Sequence, residues 1–350
     1  MLCLFFLVVL VRVLSAPNGS AEHSSHVVPT FGVVNSSKDI GSSLAVFFTP
    51  VDASTKDNAL SALVRSLEGA ERNILCAVYD IDLKEIAEVL VQKYGEGKEV
   101  KIVTEEKNTR NAAIAACRAA GIPIVVDKNS ALMHNKFFVV DDSVVWTGSA
   151  NATANDFFRN NNNVLCFTST SLSRAYRDEF WEMYERGIFG AGAPNPSPCA
   201  EESWGMTCVY FAPEDHVAQK LADHIRNARQ EILFMGYVFT HEGLARLLIR
   251  RRAEGLRVQG LLEASQTKNM ASKRKFLEQG DVTVFLDANP RMMHHKVMIF
   301  DRTTVATGSF NFSISADTRN DENIIFLENP SIAEQFVQEF ERLTTATQRE

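Results

Sequence analysis

The chain has 350 residues, of which 45% are apolar and 23% charged, and its formal net charge is −7 at pH 7. This composition is typical of a folded globular protein and excludes a disordered chain, a collagen or a coiled coil. The length leaves room for two domains. The acidic surplus argues against a protein that coats nucleic acid non-specifically, because phosphate contacts need Lys and Arg, but it does not exclude a local basic groove.

The first 16 residues, MLCLFFLVVLVRVLSA, contain an apolar run as long as that of a signal peptide and too short to span a bilayer. We therefore predict a signal peptide over 1–16 and a secreted or exported protein, in the periplasm or through the ER to the outside. A membrane-tethered signal anchor and an organelle-targeting segment are the alternatives. Residues 17–42, rich in Ser and Asn, predict a flexible lead-in.

From residue 43 onward, strand-like and helix-like segments alternate. The strand VFFTPVD (46–52) is followed by an amphipathic helix, a strand (73–82), a helix (83–95) and a strand (99–105). The same order returns after a Gly- and Pro-rich linker at 191–205. Alternating strands and helices predict an α/β sheet covered by helices, in two halves at 43–190 and 206–345.

Cysteines in these segments have two predicted roles. Cys76, Cys117 and Cys166 lie in apolar runs and are interpreted as buried small hydrophobes. Cys199 and Cys208 lie near the end of the linker and could form a disulfide in an oxidising compartment.

The strongest sequence signal is an internal repeat. The segment ALMHNKFFVVDDSVVWTGSANAT (131–153) matches RMMHHKVMIFDRTTVATGSFNFS (291–313) at an offset of 160. The shared positions are His134, Lys136, Asp141, Gly148, Ser149 and Asn151 in the first copy, and His294, Lys296, Asp301, Gly308, Ser309 and Asn311 in the second. Residues i and i+2 of a strand share a face, so each His and Lys project together.

Such a pair of motifs suits phosphoryl transfer. Two Lys and the amide and hydroxyl side chains supply positive charge and donors for the non-bridging oxygens of a phosphate. One His can attack phosphorus and the other can protonate the leaving oxygen. We expect no metal and no cofactor, because the chain lacks an H-E-x-x-H motif and a carboxylate-rich cluster, and the two Lys would repel a cation.

The pattern H-x-K-x4-D-x6-G-S-x-N resembles the HKD motifs of the phospholipase D superfamily. That superfamily includes phospholipases D, cardiolipin and phosphatidylserine synthases, endonucleases, an exonuclease group and tyrosyl-DNA phosphodiesterase. The resemblance implies two duplicated α/β/α halves about a pseudo-twofold axis, one composite cleft and a phosphohistidine intermediate. It also implies catalytic roles for His134, Lys136, Asp141, His294, Lys296 and Asp301, and phosphate binding by Ser149, Asn151, Ser309 and Asn311.

One position departs from the family pattern, in which a carboxylate shortly after G-S-x-N bonds a catalytic His. Glu322 fits in the second half, whereas the first half has Asn162. We expect Glu322 to pair with His294 of its own half. On that pairing His294 becomes the general acid and His134 the nucleophile, because a carboxylate raises the pKa of a neighbouring imidazole. The alternative is that Glu322 reaches across the cleft to His134, which would reverse the two roles.

Three functions remain open at this point. The first is a phospholipase D-type enzyme that hydrolyses the head-group bond of a phospholipid to give phosphatidate, acting as a monomer with peripheral membrane contact. The second is a metal-independent nuclease of the same superfamily, and the third a non-catalytic binding module. Arg291 is a candidate phosphate contact, and Met292 and Met293 are candidate acyl-chain contacts, with core packing as the simpler interpretation.

Overall fold

The computed structural model describes residues 44–52, 54 and 57–347. The signal peptide predicted at 1–16 and the lead-in predicted at 17–42 lie outside these described residues. Within them there is no helix of the length and apolarity needed to cross a bilayer.

The first half is a seven-stranded sheet with the strand order β1-β7-β6-β5-β2-β3-β4. Strands β2, β3 and β4 run parallel, and the others pair antiparallel. The strands are β1 (Leu44–Phe48), β2 (Asn73–Val78), β3 (Glu99–Glu105), β4 (Ile124–Asp127), β5 (Lys136–Val140), β6 (Val144–Gly148) and β7 (Asn163–Thr168). The helices are α1 (Ala59–Glu68), α2 (Lys84–Gly95), α3 (Ala112–Ala119), α4 (Ala154–Phe158) and α5 (Thr170–Arg186).

The second half repeats this plan with one extra strand, in the order β12-β11-β10-β13-β14-β15-β9-β8. Its strands are β8 (Cys199–Glu202), β9 (Gly205–Ala212), β10 (Glu231–Gly236), β11 (Arg257–Leu262), β12 (Thr283–Leu286), β13 (Lys296–Phe300), β14 (Thr304–Gly308) and β15 (Glu322–Glu328). Its helices are α6 (Val217–Asn227), α7 (Glu242–Ala253), α8 (Arg274–Gln279), α9 (Ile314–Thr318) and α10 (Pro330–Thr347).

Three apolar clusters explain why the sequences of the strands are continuous apolar runs. One cluster lies between the first sheet and helices α1–α3, and another between the second sheet and α6–α8. The third contains residues of both sheets together with α5 and α10, so it joins the two halves into one core. Strands covered on both faces, such as β2 and β10, have every residue buried. The predicted α/β fold with two duplicated halves is confirmed.

Reciprocal contacts relate the halves by an approximate twofold axis. Thr147 donates to Asn323, and its equivalent Thr307 donates to Asn163, both at 2.9 Å. Short bridges join Met133 to Asp321 and Asn161 to Met293. The pseudo-twofold arrangement that the family resemblance implies is therefore present.

The segment predicted as a linker at 191–205 differs from that prediction. It contains β8, which pairs with β9 and extends the second sheet by an edge strand. The register sets Cys199 opposite Cys208, and a disulfide joins them. Cys76 and Cys117 are buried as predicted, whereas Cys166 is half-buried.

Candidate active site

Both His-x-Lys motifs lie at the same end of their sheets, where the Lys of each motif begins β5 or β13. Each motif is held in place by the backbone of the other half. The amide of His134 donates to the carbonyl of Asp321 at 2.9 Å, and the amide of His294 donates to the carbonyl of Asn161 at 2.8 Å. The two copies consequently meet in one cleft.

The imidazole partners also come from the opposite half. His134 Nδ1 lies 2.7 Å from Glu322 Oε2, and His294 Nδ1 lies 2.9 Å from Asn162 Oδ1. The expected pairing of Glu322 with His294 is therefore wrong. The reason is the twofold packing, which sets the start of β15 against the first motif and the start of β7 against the second.

The two histidines differ in electrostatic environment. Burial lowers the pKa of His134, and Glu322 opposes that shift. Burial and the charges of Lys296 and Lys136 lower the pKa of His294 well below its usual value. Because an oxygen acceptor faces each Nδ1, the neutral rings carry their proton there and keep Nε2 as a free lone pair.

The two lysines are buried beside the histidines. Lys136 Nζ donates to the carbonyl of His134 at 2.7 Å, and Lys296 Nζ to that of His294 at 2.8 Å. Burial lowers the pKa of Lys136 to about 8, and burial together with Lys136 lowers the pKa of Lys296 well below its usual value. Because the charge of Lys136 disfavours the charged form of Lys296, the pair is suited to an anionic ligand, which offsets this repulsion.

Sequence reasoning missed two tyrosines of the site. The rings of Tyr79 and Tyr237 meet His134 and His294 edge to face, with centroids 5.0 Å and 4.5 Å apart. The same rings lie 5.2 Å from Lys136 Nζ and 4.9 Å from Lys296 Nζ, which places each ammonium over an aromatic face. The sequence signal that could have indicated them is the Tyr that directly follows each of the matching strands β2 and β10.

The serines of the motifs do not face the cleft. Ser149 Oγ donates to Asn162 Oδ1 at 3.0 Å, and Ser309 Oγ donates to Glu322 Oε2 at 2.6 Å. Both serines are fully buried. The expectation that they bind phosphate is replaced by a positioning role, because each hydroxyl orients the side chain that contacts a histidine.

Asn151 and Asn311 are half-buried, and the side-chain carbonyl oxygen of each is buried without a hydrogen-bond partner. Asn151 Nδ2 donates to Asp156 Oδ2 at 2.6 Å. Asp156 was also missed from the sequence. Its Oδ2 lies 3.8 Å from His294 Nδ1, and the equivalent position in the second half is Ala316. The site is therefore asymmetric at this position.

Asp141 and Asp301 lie at the opposite ends of β5 and β13 from the histidines. The carboxylate of Asp141 accepts the backbone amides of residues 71–73, and that of Asp301 accepts those of residues 229–231. Their expected catalytic role is not supported, since a five-residue strand separates each from the cleft. Through these hydrogen bonds, Asp141 and Asp301 stabilise the turn after each motif strand.

Buried carboxylates support the loops before the two motifs. Glu105 accepts the amide of Met133 at 3.2 Å, and Glu263 accepts that of Met293 at 2.7 Å. Within the described ranges, no group of three or more His, Cys, Asp or Glu side chains is arranged to hold a metal ion.

Comparisons with known proteins agree with this geometry. The family model described as cardiolipin synthase, PLD-like domain, matches residues 63–184 and 221–344, more than half of the chain. A phospholipase D of Rickettsia prowazekii is 36% identical over 141 residues, covering 40% of this chain and 68% of that protein. A mitochondrial cardiolipin hydrolase of Xenopus laevis is 34% identical, covering 38% of this chain and 66% of that protein.

The sequence matches to the five Rickettsia phospholipases D span between 64% and 70% of those relatives. The phosphatidylserine synthase of Haemophilus influenzae Rd KW20 shares the fold across both halves, with a TM-score of 0.65, 15% identity, and 85% of this chain and 86% of that chain covered. With both motifs in one cleft and both repeats matched, the chain belongs to the phospholipase D superfamily and is a phosphodiester hydrolase of that type.

Proposed function

We propose that the protein hydrolyses the head-group phosphodiester bond of a phospholipid through a phosphohistidine intermediate. The observation that carries the proposal is the cluster of two histidines with free Nε2 atoms and two buried lysines at one cleft. Lys136 and Lys296 bind the non-bridging oxygens of the substrate. The half-buried Asn151 and Asn311 flank the same cleft.

We assign His134 as the nucleophile because of the positive charge that develops on its ring during the reaction. Its Nε2 attacks phosphorus, and the ring becomes a cationic phosphoimidazolium as the new N–P bond forms. Glu322, 2.7 Å from Nδ1, offsets this positive charge. The sequence argument made the histidine beside Glu322 the general acid, and Glu322 contacts His134. We nevertheless keep His134 as the nucleophile, because the positive charge that develops on its ring is the charge that Glu322 offsets.

His294 is the general acid for the complementary reason. It enters the reaction as the imidazolium, which the substrate phosphate stabilises, and gives its proton to the leaving oxygen as the P–O bond breaks. Asn162 cannot compensate the ring charge, and the two lysines destabilise it, so the proton is released readily. His294 then takes a proton from the water that attacks phosphorus and frees His134.

Two observations favour a lipid over a nucleic acid. The similar proteins include phospholipases D and cardiolipin hydrolases. In addition, Asp80, Asp82 and Asp156 form an acidic wall of the first half near Lys136; burial and Asp82 raise the pKa of Asp80 to about 6. In the second half the equivalent residues are Val238, Thr240 and Ala316. Carboxylates beside the scissile group repel the neighbouring phosphates of a polynucleotide.

The test is a parallel assay of the purified chain, with a chelator present, on phosphatidylcholine vesicles, cardiolipin vesicles and single-stranded DNA. We expect phosphatidate or its cardiolipin counterpart to be released, and His134→Ala to abolish the release. Cleavage of DNA with no lipid product would reject the proposal in favour of a nuclease. Loss of all activity on chelation, restored by one divalent metal, would reject the mechanism.

A further inference from the structure

Few large apolar side chains are exposed among the residues that the structure describes. Within the described part of the chain they are Ile188, Met270, Met292 and Ile314. Met270 is 102% exposed, Ile314 53% and Met292 41%. Ile188 follows α5, whereas the other three lie on separate segments of the second half: Met270 and Met292 lie on loops, and Ile314 is the first residue of α9.

The three segments that carry Met270, Met292 and Ile314 lie at one end of the second sheet. Strands β10 and β11 are parallel, and β13 is antiparallel to both β10 and β14. The end of β11, the start of β13 and the end of β14 consequently share an edge, which is also the edge of His294. Three strand spacings separate β11 from β14, or roughly 15 Å. The segments of Met270, Met292 and Ile314 thus lie at the edge of the second sheet that carries His294.

The first half provides an internal comparison. It lacks large exposed apolar side chains at the positions that correspond to Met292 and Ile314. Leu132 occupies the position of Met292 and is half-buried, so it is less exposed than Met292. Ala154, a small residue, occupies the position of Ile314. The loop after β11 is also longer. Seven positions separate Glu105 from Ala112, whereas eleven separate Glu263 from Arg274, and Met270 lies in this longer loop. Among the described residues, the exposed large apolar side chains at this end of the sheets therefore belong to the second half.

Unpaired cations accompany the apolar residues. Lys268 lies in the same loop as Met270, and Arg291 precedes Met292; both are exposed, and no hydrogen bond or ion pair within the described residues engages either side chain. In the first half Ala131 replaces Arg291. Although the chain carries a net charge of −7, this rim presents free positive charge beside apolar side chains.

We propose that this rim, formed by Lys268, Met270, Arg291, Met292 and Ile314, docks on the surface of a phospholipid bilayer that carries anionic lipids. The inference rests on the proposed lipid substrate and names the partner of that same site. The apolar side chains enter the interface between head groups and acyl chains, and the two cations contact lipid phosphates. Docking in this way sets the cleft at the level of the head groups.

The experiment measures vesicle binding and hydrolysis separately, with the full chain. The variant Met270→Ser/Ile314→Ser leaves Met292 intact, because that residue immediately precedes the motif loop. Its control is Ile188→Ser, which removes an exposed apolar side chain away from the rim. Sedimentation uses vesicles of phosphatidylcholine with phosphatidylglycerol, and hydrolysis is followed both on these vesicles and on a short-chain phosphatidylcholine dispersed as monomers.

We expect the double variant to bind vesicles about tenfold more weakly or worse, since two apolar side chains no longer leave water. Vesicle hydrolysis should fall in parallel, while hydrolysis of the monomeric lipid and all properties of Ile188→Ser stay at wild-type level. A second variant, Lys268→Ser/Arg291→Ser, should lose binding to anionic vesicles and retain it on pure phosphatidylcholine.

Equal vesicle binding by the double variant and wild type would overturn the proposal. So would an equal loss of monomer and vesicle hydrolysis, which would show damage to the cleft. If the wild type hydrolysed no lipid but the double variant still lost vesicle binding, the lipid substrate would fail and the docking surface would stand. Binding of single-stranded DNA that the double variant lost would overturn the bilayer as the partner.

Discussion

The two histidines differ in the residue that hydrogen-bonds to Nδ1: it is Glu322 for His134 and Asn162 for His294. The carboxylate of Asp156 is farther from the His294 ring, at 3.8 Å. Both partners hold the ring at Nδ1, but only the carboxylate compensates positive charge. The ring that gains charge in the reaction therefore needs Glu322, and the ring that loses charge does not.

The first prediction concerns the covalent intermediate. With a nitrophenyl phosphodiester the leaving group departs without a proton, so His294→Ala should still form the phosphohistidine. Rapid denaturation and peptide mapping should locate the phosphoryl group on His134. His134→Ala should form no covalent adduct. Label on His294 in the wild-type protein would reverse the roles.

The second prediction concerns Glu322→Gln, which keeps a hydrogen-bonding side chain and removes its charge. We expect kcat/KM to fall roughly 10²–10³-fold, as for loss of one preorganised electrostatic contact. Glu322 raises the pKa of His134 against the effect of burial, so its loss lowers that pKa further. A nucleophile must be neutral, so the acid limb of the pH–rate profile should move to lower pH.

The matched control for this variant is Asn162→Gln at the equivalent position, where no charge is removed. Its acid limb should not move to lower pH. An upward shift of the acid limb in Glu322→Gln would show that the carboxylate does not act on the nucleophile.

The site could be predicted from the sequence only in part, and the reason lies at the level of single side chains. Repetition at one offset indicated His134, Lys136, His294 and Lys296, because no other pattern explains two such pairs. It could not indicate which half supplies each partner, since that depends on how the sheets pack. Asp156 corresponds to Ala316 in the second copy, so a comparison of the two halves could not identify it as a site residue.

Helices α5 and α10 occupy equivalent positions but carry different polar networks. In α10, Glu339 contacts His295 at 3.2 Å and Arg342 at 2.7 Å; although burial raises its pKa, these partners hold it below its usual value. In α5, Glu179 lies near Glu214 and Asp321. Burial raises the pKa of Glu214 to about 7 and that of Asp321 to about 8.

The third prediction follows from this acidic cluster. A carboxyl whose pKa is higher in the folded than in the unfolded chain binds its proton more tightly when folded, so it stabilises the fold at low pH. That contribution is full below about pH 4, the pKa of an unfolded carboxyl, and is lost as pH rises through about 7 to 8. We expect a lower melting temperature at pH 8 than at pH 5.

Glu214→Gln should reduce this pH dependence, because a neutral amide replaces one titrating group. Differential scanning calorimetry at the two pH values measures it, with the exposed Glu201→Gln on β8 as control. An unchanged difference between pH 5 and pH 8 in Glu214→Gln would show that the buried carboxyl does not cause it.

At the level of elements, the sequence predicted strands and helices well where both faces of a strand are covered. Such strands read as unbroken apolar runs, as in NILCAV of β2. The edge strand β8 was missed because CAEE is polar and follows a Gly- and Pro-rich segment. Its structure depends on pairing with β9 and on the disulfide rather than on its own composition.

The whole molecule has one composite site, and the fourth prediction tests it. His134→Ala and His294→Ala should each remove nearly all turnover, since each reaction step needs a different ring. Mixing the two inactive variants should restore no activity, because every chain would then hold one defective motif in its own cleft. Half of the wild-type rate in either single variant would indicate two independent sites.

The exchange of partners between halves has a consequence for how this enzyme specialised. Two identical subunits placed around a true twofold axis must give both histidines the same neighbour. Once the copies are fused in one chain, each can change separately, and here one has Glu322 where the other has Asn162. Joining the copies thus made possible the division of labour that we propose, in which one ring accepts the phosphoryl group and the other gives up a proton.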